Sequence, residues 1–224
     1  MKVLLNGCSY MDNFWYPEHF RNLMGAEEVV NLARPGSSNR RIIRTTIDYI
    51  DQQQDVDYVV IGLTFYDRQE SPFLTNKADP WVSYNSQGMQ AVFASADDFG
   101  STVEHKQVDD YVKSRYRYDI NSYYLESLYL DLKMFCAYMR ERGIQYCIVN
   151  MCDRHHQNWP IDPGIIPLDF VANEYLDSVG CTCMEQDKDL QPNARHYYEE
   201  DVIILVSEIV RHIQENAIAR TTII

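Results

Sequence analysis

Residues 57–63 read DYVVIGL, and the fold turns on this stretch. Six residues from Tyr58 to Leu63 follow Asp57, with no charged residue to mark a solvent-facing side. A strand that alternates inward and outward side chains shows such alternation; an unbroken Val/Ile run instead suits a central parallel strand covered on both faces. Upstream, Ser38 or Asn39 is placed to cap a helix reaching about Gln53, with Ile42, Ile43, Thr46, Ile47 and Ile50 at helical spacing. Before it, AEEVVNLA (26–33) reads as a short strand and RPGSSN as the loop after it. Residues 13–24 read as a short helix with Phe14, Phe20, Leu23 and Met24 inward, and KVLLN (2–6) as a first strand ending at Gly7.

Downstream, residues 66–120 break the rhythm. They are polar, aromatic and rich in turn formers, as in SPFLTNKADPWVSYNSQG (71–88), and read as an insertion holding a hairpin or short helices. Residues 121–142 return to a helix with Leu125, Leu128, Leu132, Phe135 and Met139 on one stripe and Gly143 as its stop. IQYCIVN (144–150) is a further buried strand, and MCDRHHQNWPIDPG (151–164) a loop. Residues 165–178 fit either element type, VGCTCM (179–184) suits a last short strand, and 194–215 form a terminal helix with Val202, Val206, Ile209, Val210 and Ile213 inward. Strands alternating with helices imply one α/β domain over residues 1–224, a parallel sheet with helices on both faces. Ligands of such sheets sit at the carboxyl ends of the strands. Gly7-Cys8-Ser9, Gly36-Ser37-Ser38-Asn39, Gly62-Leu63-Thr64 and the stretch around Asp189 all fall at such ends.

Composition removes several function classes. The chain of 224 residues has a formal net charge of −13, which opposes phosphate backbones and anionic membranes, so nucleic acid and membrane are poor partners. The basic run RPGSSNRRIIR (34–44) suits either a small anion or a solvated helix start. No stretch of about 18 apolar residues exists to span a bilayer, and the apolar run at the N-terminus is too short for a signal peptide. A cytoplasmic protein of the producing or phage-infected cell is expected, with its 6 cysteines reduced. Cys136 and Cys147 read as small core residues.

The order of motifs resembles the SGNH (GDSL-type) hydrolase family, in the "GCS" variant of its small phage and bacterial members. The residues that carry the resemblance are GCSY at 7–10, then Asn31, Ala33, Gly36, Ser37 and Asn39 ahead of a helix. A strand ending in glycine follows, and an acidic, proline-containing block precedes the last helix. The resemblance covers most of the chain apart from 66–120. It implies a flavodoxin-like three-layer α/β/α sandwich with a long insertion after strand 3, and a cofactor-free esterase hydrolysing a small acyl ester such as an O-acetylated carbohydrate. Ser9 is then the nucleophile, and its own N–H and that of Gly36 face the oxyanion.

Two positions depart from the family pattern. Thr64 stands where the family has an asparagine donor. In DLQPNARHYYEE (189–200) Gln191 stands where the family has histidine, and glutamine takes no proton at neutral pH. The base is then His196 oriented by Asp187 or Asp189, or else His155 or His156; His196 equally suits a structural histidine. Gln191 is left with Gly36, Thr64 and Asn39 among the oxyanion and binding residues.

Plainer readings compete at each point. Ser9 suits a helix N-cap, Gly36 and Gly62 suit turns, and Arg68 with Glu70 in YDRQE suits an exposed ion pair, although the same two resemble a recurrent pair of the phage-type members. CDRHH (152–156) and CTC (181–183) offer zinc-type ligands at spacings that match no standard finger, so no metal is expected. No arginine closes a phosphate loop after Cys8, against a cysteine phosphatase, and a single glycine there is too few for a nucleotide loop. From another class, a non-catalytic binding module would use Trp81, Tyr84, Tyr111, Tyr116 and Tyr118 to stack on carbohydrate or protein.

Overall fold

The computed structural model describes residues 1–12, 15–53, 55–66, 68–72, 81–84, 110, 121–151, 172–181, 184 and 197–221. Strands β1 (Lys2–Asn6), β2 (Glu28–Asn31), β3 (Tyr58–Leu63) and β6 (Gln145–Asn150) form one parallel sheet in the order β2-β1-β3-β6. Strands β4 (Gln69–Pro72) and β5 (Trp81–Tyr84) form a separate antiparallel hairpin within the stretch read as an insertion, paired from Gln69↔Tyr84 to Pro72↔Trp81. The helices are α1 (Trp15–Met24), α2 (Asn39–Gln53), α3 (Asn121–Arg142), α4 (Ala172–Ser178) and α5 (Glu199–Thr221).

β3 earns its central place chemically: all six of its residues are buried, between β1 and β6. The sheet's two faces carry separate cores, because alternate side chains of a strand point to opposite sides. Val3, Leu5, Val60 and Val149 pack with Phe20 of α1, Leu176 of α4 and Leu205 and Ile209 of α5. Leu4, Val59, Ile61 and Ile148 pack with Ile42 of α2 and Leu132 and Phe135 of α3. Among the described residues no helix is long and apolar enough to cross a membrane.

Helix boundaries follow local chemistry. The Ser38 hydroxyl accepts a hydrogen bond from the Arg41 amide at 3.1 Å, the bond of an N-cap on α2. Gly143, at φ 69, ends α3, with the Ile144 amide donating back to the Met139 carbonyl. Three glutamate and aspartate residues, Glu199, Glu200 and Asp201, open α5, where the helix dipole favours negative charge.

Some expectations need correction. Leu23 faces solvent at 38% exposure rather than the core, leaving Tyr16 and Phe20 as the buried residues of α1. Residues 179–181 and 184 lie outside any strand; Gly180, at φ 83, turns the chain away from α4 instead. Residues 172–178, ambiguous in sequence, are helical, and α5 begins at Glu199.

Candidate functional site

The crossing from β2 to β3 passes over β1, so the strand order reverses between β1 and β3. Carboxyl ends at such a reversal leave a crevice for ligands. Ser9 follows β1 and Thr64 follows β3, which brings both to that reversal.

Ser9 sits in a tight turn. The Met11 and Asp12 amides both donate to the Cys8 carbonyl, at 3.0 and 3.1 Å, and Ser9 is the first residue inside the loop they close. The turn lies ahead of Trp15, where α1 begins, so Ser9 does not cap that helix. Ser9 is half-buried, while Cys8 beneath it is fully buried. Tyr16 lies against Cys8 and is itself buried, which pushes its phenol above the usual range.

Met11 fixes this turn from below. Its side chain is fully buried across the ends of β1 and β3. A Cβ at Gly62 would collide with Met11 Sδ and stand 2.8 Å from Met151 Cγ; one at Gly7 would stand 2.9 Å from the same sulfur. Gly62 is therefore no turn glycine. It lies inside β3 and is glycine because a side chain passes over it.

The loop after β2 comes to the same place. The Leu32 amide donates to the Leu5 carbonyl at 2.8 Å and the Arg34 amide to the Gly7 carbonyl at 3.2 Å. Asn31 completes the tie, its Nδ2 donating to the Met11 carbonyl at 2.8 Å while its Oδ1 accepts from the Ala33 amide at 3.0 Å. Gly36 is buried in this loop at φ 74, a left-handed turn that favours glycine. Beside it, the Ser37 amide and hydroxyl both donate to the Arg34 carbonyl, at 3.1 and 2.8 Å.

Asn39 and Thr64 are joined to each other. Asn39 Nδ2 donates to the Thr64 carbonyl at 3.0 Å, and Asn39 Oδ1 accepts from the Thr64 amide at 2.8 Å. Both residues are buried, so the Asn39 amide is committed to holding the end of β3. Asn6 does the same for β1: its Nδ2 donates to the Ile42 carbonyl and the Thr45 and Thr46 hydroxyls, and its Oδ1 accepts from the Gly7 amide at 2.9 Å.

The arginines of 34–44 are engaged by the chain's own groups rather than gathered into an anion patch. Arg41 donates to the Ser37 hydroxyl at 3.0 Å, Arg40 faces Asp131 at 3.9 Å, and Arg44 grips Glu70 through two bonds of 3.2 and 3.1 Å. The Glu70 side chain is only 1% exposed, so an exposed Arg68–Glu70 pair is ruled out; Arg68 is buried too, its guanidinium 5.0 Å from the Phe65 ring. Asp12, on the Ser9 turn, has its carboxyl raised by partial burial, against the lowering pull of Arg34.

Ser9, Gly36, Thr64 and Asn39 are thus brought to one end of the sheet. His196, Asp187, Asp189, Gln191, His155 and His156 lie outside the described residues, as do Cys152, Cys183, Tyr111, Tyr116 and Tyr118. Cys181 of the CTC stretch is half-buried and hydrogen-bonded to Asp201; burial first, and that bond second, push its thiol up to about 11. Asn31 carries more of the site than its place in the sequence suggests. Its bond to an amide two residues on is an Asx turn, a pattern that N-x-A after a strand can signal. No protein-family model matches the chain, and no curated protein matches it either.

Proposed function

We propose that this chain is a serine esterase of the SGNH (GDSL) type, hydrolysing a small acyl ester such as an O-acetyl group on a carbohydrate. The reading includes a flavodoxin-like three-layer α/β/α sandwich with 66–120 inserted after the third strand. The two cores on opposite faces of the sheet support the layers. The observation that carries the function is the hydrogen-bonded convergence of the Ser9 turn and the Gly36 loop at the strand-order reversal.

In this mechanism Ser9 Oγ attacks the acyl carbonyl carbon and its proton passes to His196, oriented by Asp189. Charge developing on the carbonyl oxygen meets the N–H groups of Ser9 and Gly36. In this reading Thr64 takes the third donor position with Asn39 behind it, and Gln191 is counted among the binding residues. Each such donor contributes about 3 kcal/mol in the transition state. The bond from the acyl carbon to the sugar oxygen breaks, and that oxygen leaves with the proton from the imidazole. Water, deprotonated by the same imidazole, then attacks the acyl-serine; the acyl–Oγ bond breaks, the imidazolium returns its proton to Ser9 Oγ, and the acid leaves. The cycle needs no cofactor or metal, and it belongs in the cytoplasm of the producing or phage-infected cell, away from nucleic acid and membranes.

Gln191 favours a second reading, a carbohydrate- or protein-binding module that keeps the fold without a base. Labelling with a fluorophosphonate, read by intact mass on wild type and Ser9→Ala, separates the two. One adduct on wild type and none on Ser9→Ala supports the esterase. No adduct on a folded wild type sinks it and leaves the binding module.

A further inference from the structure

We infer that Asn31 is a positioning residue that sets the separation between Ser9 and the Gly36 loop. The inference rests on the esterase reading above. Asn31 ends β2 opposite Leu5 of β1, so its side chain leaves the sheet where both loops begin. Its two bonds point to different segments, Nδ2 to the Met11 carbonyl in the turn that holds Ser9, and Oδ1 to the Ala33 amide in the loop that leads to Gly36. Lower down, the Leu32 and Arg34 amides tie the same segments backbone to backbone, at Leu5 and Gly7, and the Asp12 carboxyl feels the charge of Arg34. The Asn31 side chain reaches the far side of the turn, at the Met11 carbonyl beyond Ser9.

The geometry makes the role specific. The Ser9 turn is closed by bonds to the Cys8 carbonyl and held from below by Met11, so it moves as a unit. Withdrawing the donor at Met11 leaves that unit hinged at Gly7. Ser9 then shifts relative to Gly36 while each loop keeps its own internal bonds. Misplacement of a reacting group by about 1 Å costs on the order of 100-fold in rate. Substrate contacts elsewhere are untouched, so the loss belongs in the chemical step.

The test is the rate of Ser9 phosphonylation by a fluorophosphonate, resolved into the bonding step and the preceding reversible binding. Asn31→Asp keeps the acceptor for Ala33 and removes the donor to Met11. It is expected to slow the bonding step by on the order of 10- to 100-fold, with reversible binding within about twofold. Asn31→Ser, which retains a shorter donor, is expected to fall between the two. Asp51→Ala, in an exposed cluster at the opposite end of the sheet, supplies a control substitution remote from the site, with an unchanged bonding step.

A labelled wild type with an unchanged bonding step in Asn31→Asp overturns the role of Asn31 and leaves the esterase reading standing. An equal loss in Asp51→Ala overturns it too, as an effect not specific to the site. Loss of the cooperative melting transition in both Asn31 variants assigns the residue to folding instead. A folded wild type that takes no label overturns the esterase reading, and the role of Asn31 with it.

Discussion

The two ends of the parallel sheet use polar residues in opposite ways. At the carboxyl end, Asn6, Asn39 and Thr64 are buried and bonded largely to backbone, and Glu70 is sealed against Arg44. At the amino end the polar groups are charged and wet. Lys2 meets Asp55 at 3.1 Å and Glu28 at 3.5 Å, and Asp51 accepts from Tyr138 and Arg142 with its side chain 47% exposed. The amino end also has an open depression of about 660 Å³ lined by Val56, Asp57, Arg142 and Gln145. A buried amide or carboxylate must be satisfied by fixed partners, so it dictates backbone position; an exposed charge has water as a substitute and dictates little.

That contrast is open to attack from its most costly member down. Arg44→Ala strands the Glu70 carboxylate in the interior and is expected to cost about 3–5 kcal/mol by denaturant unfolding. The double change Arg44→Met with Glu70→Leu is expected to recover most of it, because an apolar pair needs no counter-charge. A cost under about 1 kcal/mol for Arg44→Ala would place this pair with the amino-end charges and break the contrast.

Asn39→Ala leaves the Thr64 amide and carbonyl without their side-chain partners and is expected to cost about 2–3 kcal/mol in the same assay. Gly62→Ala forces Met11 aside and is expected to cost about 1–3 kcal/mol, with Met11→Ala in the same chain cancelling part of that strain. Additive losses in the double variant would show that the two positions do not share one slot.

The amino end supplies the smallest effects. Asp51→Ala is expected to cost no more than about 1 kcal/mol, shrinking further in high salt. Burial first, and the bond to Asp51 second, push the Tyr138 phenol up to about 12 from an ordinary value near 10. Its proton is held more tightly folded than unfolded. The stability this supplies is therefore complete below pH of about 10 and is lost as pH rises through about 12. Ultraviolet titration of the tyrosines, wild type against Asp51→Ala, is expected to show one late phenol moving to lower pH. An unmoved late phenol would assign the shift to burial alone.

Legibility in the sequence followed the range of the interaction. The all-apolar run at 58–63 and the stripe of Leu128, Leu132, Phe135 and Met139 announced β3 and α3, because burial and periodicity are written locally. The arrival of Ser9, Gly36 and Thr64 at one end followed from the alternation of strands and helices. The clamps did not. Asn39 reaches Thr64 across 25 positions and Arg44 reaches Glu70 across 26, and no local pattern tells a bonded amide from a solvated one. The sequence leaves Gly62 open between a turn and a strand end, because glycine has several uses, and only the path of Met11 selects among them. Leu23 is apolar and three positions after the buried Phe20, yet in the last turn of α1 it is 38% exposed.

The slot that Met11 fills has a consequence for how this sequence is free to drift. Gly7, Met11, Gly62 and Met151 divide one fixed volume, although the chain reaches them at widely separated positions. Bulk gained at 62 has to be surrendered at 11 or 151. Lineages that exchange residues here are expected to do so in compensating pairs, with the smaller residue appearing first. A descendant with a side chain at 62 and an unshortened neighbour would carry its Ser9 turn in a different place.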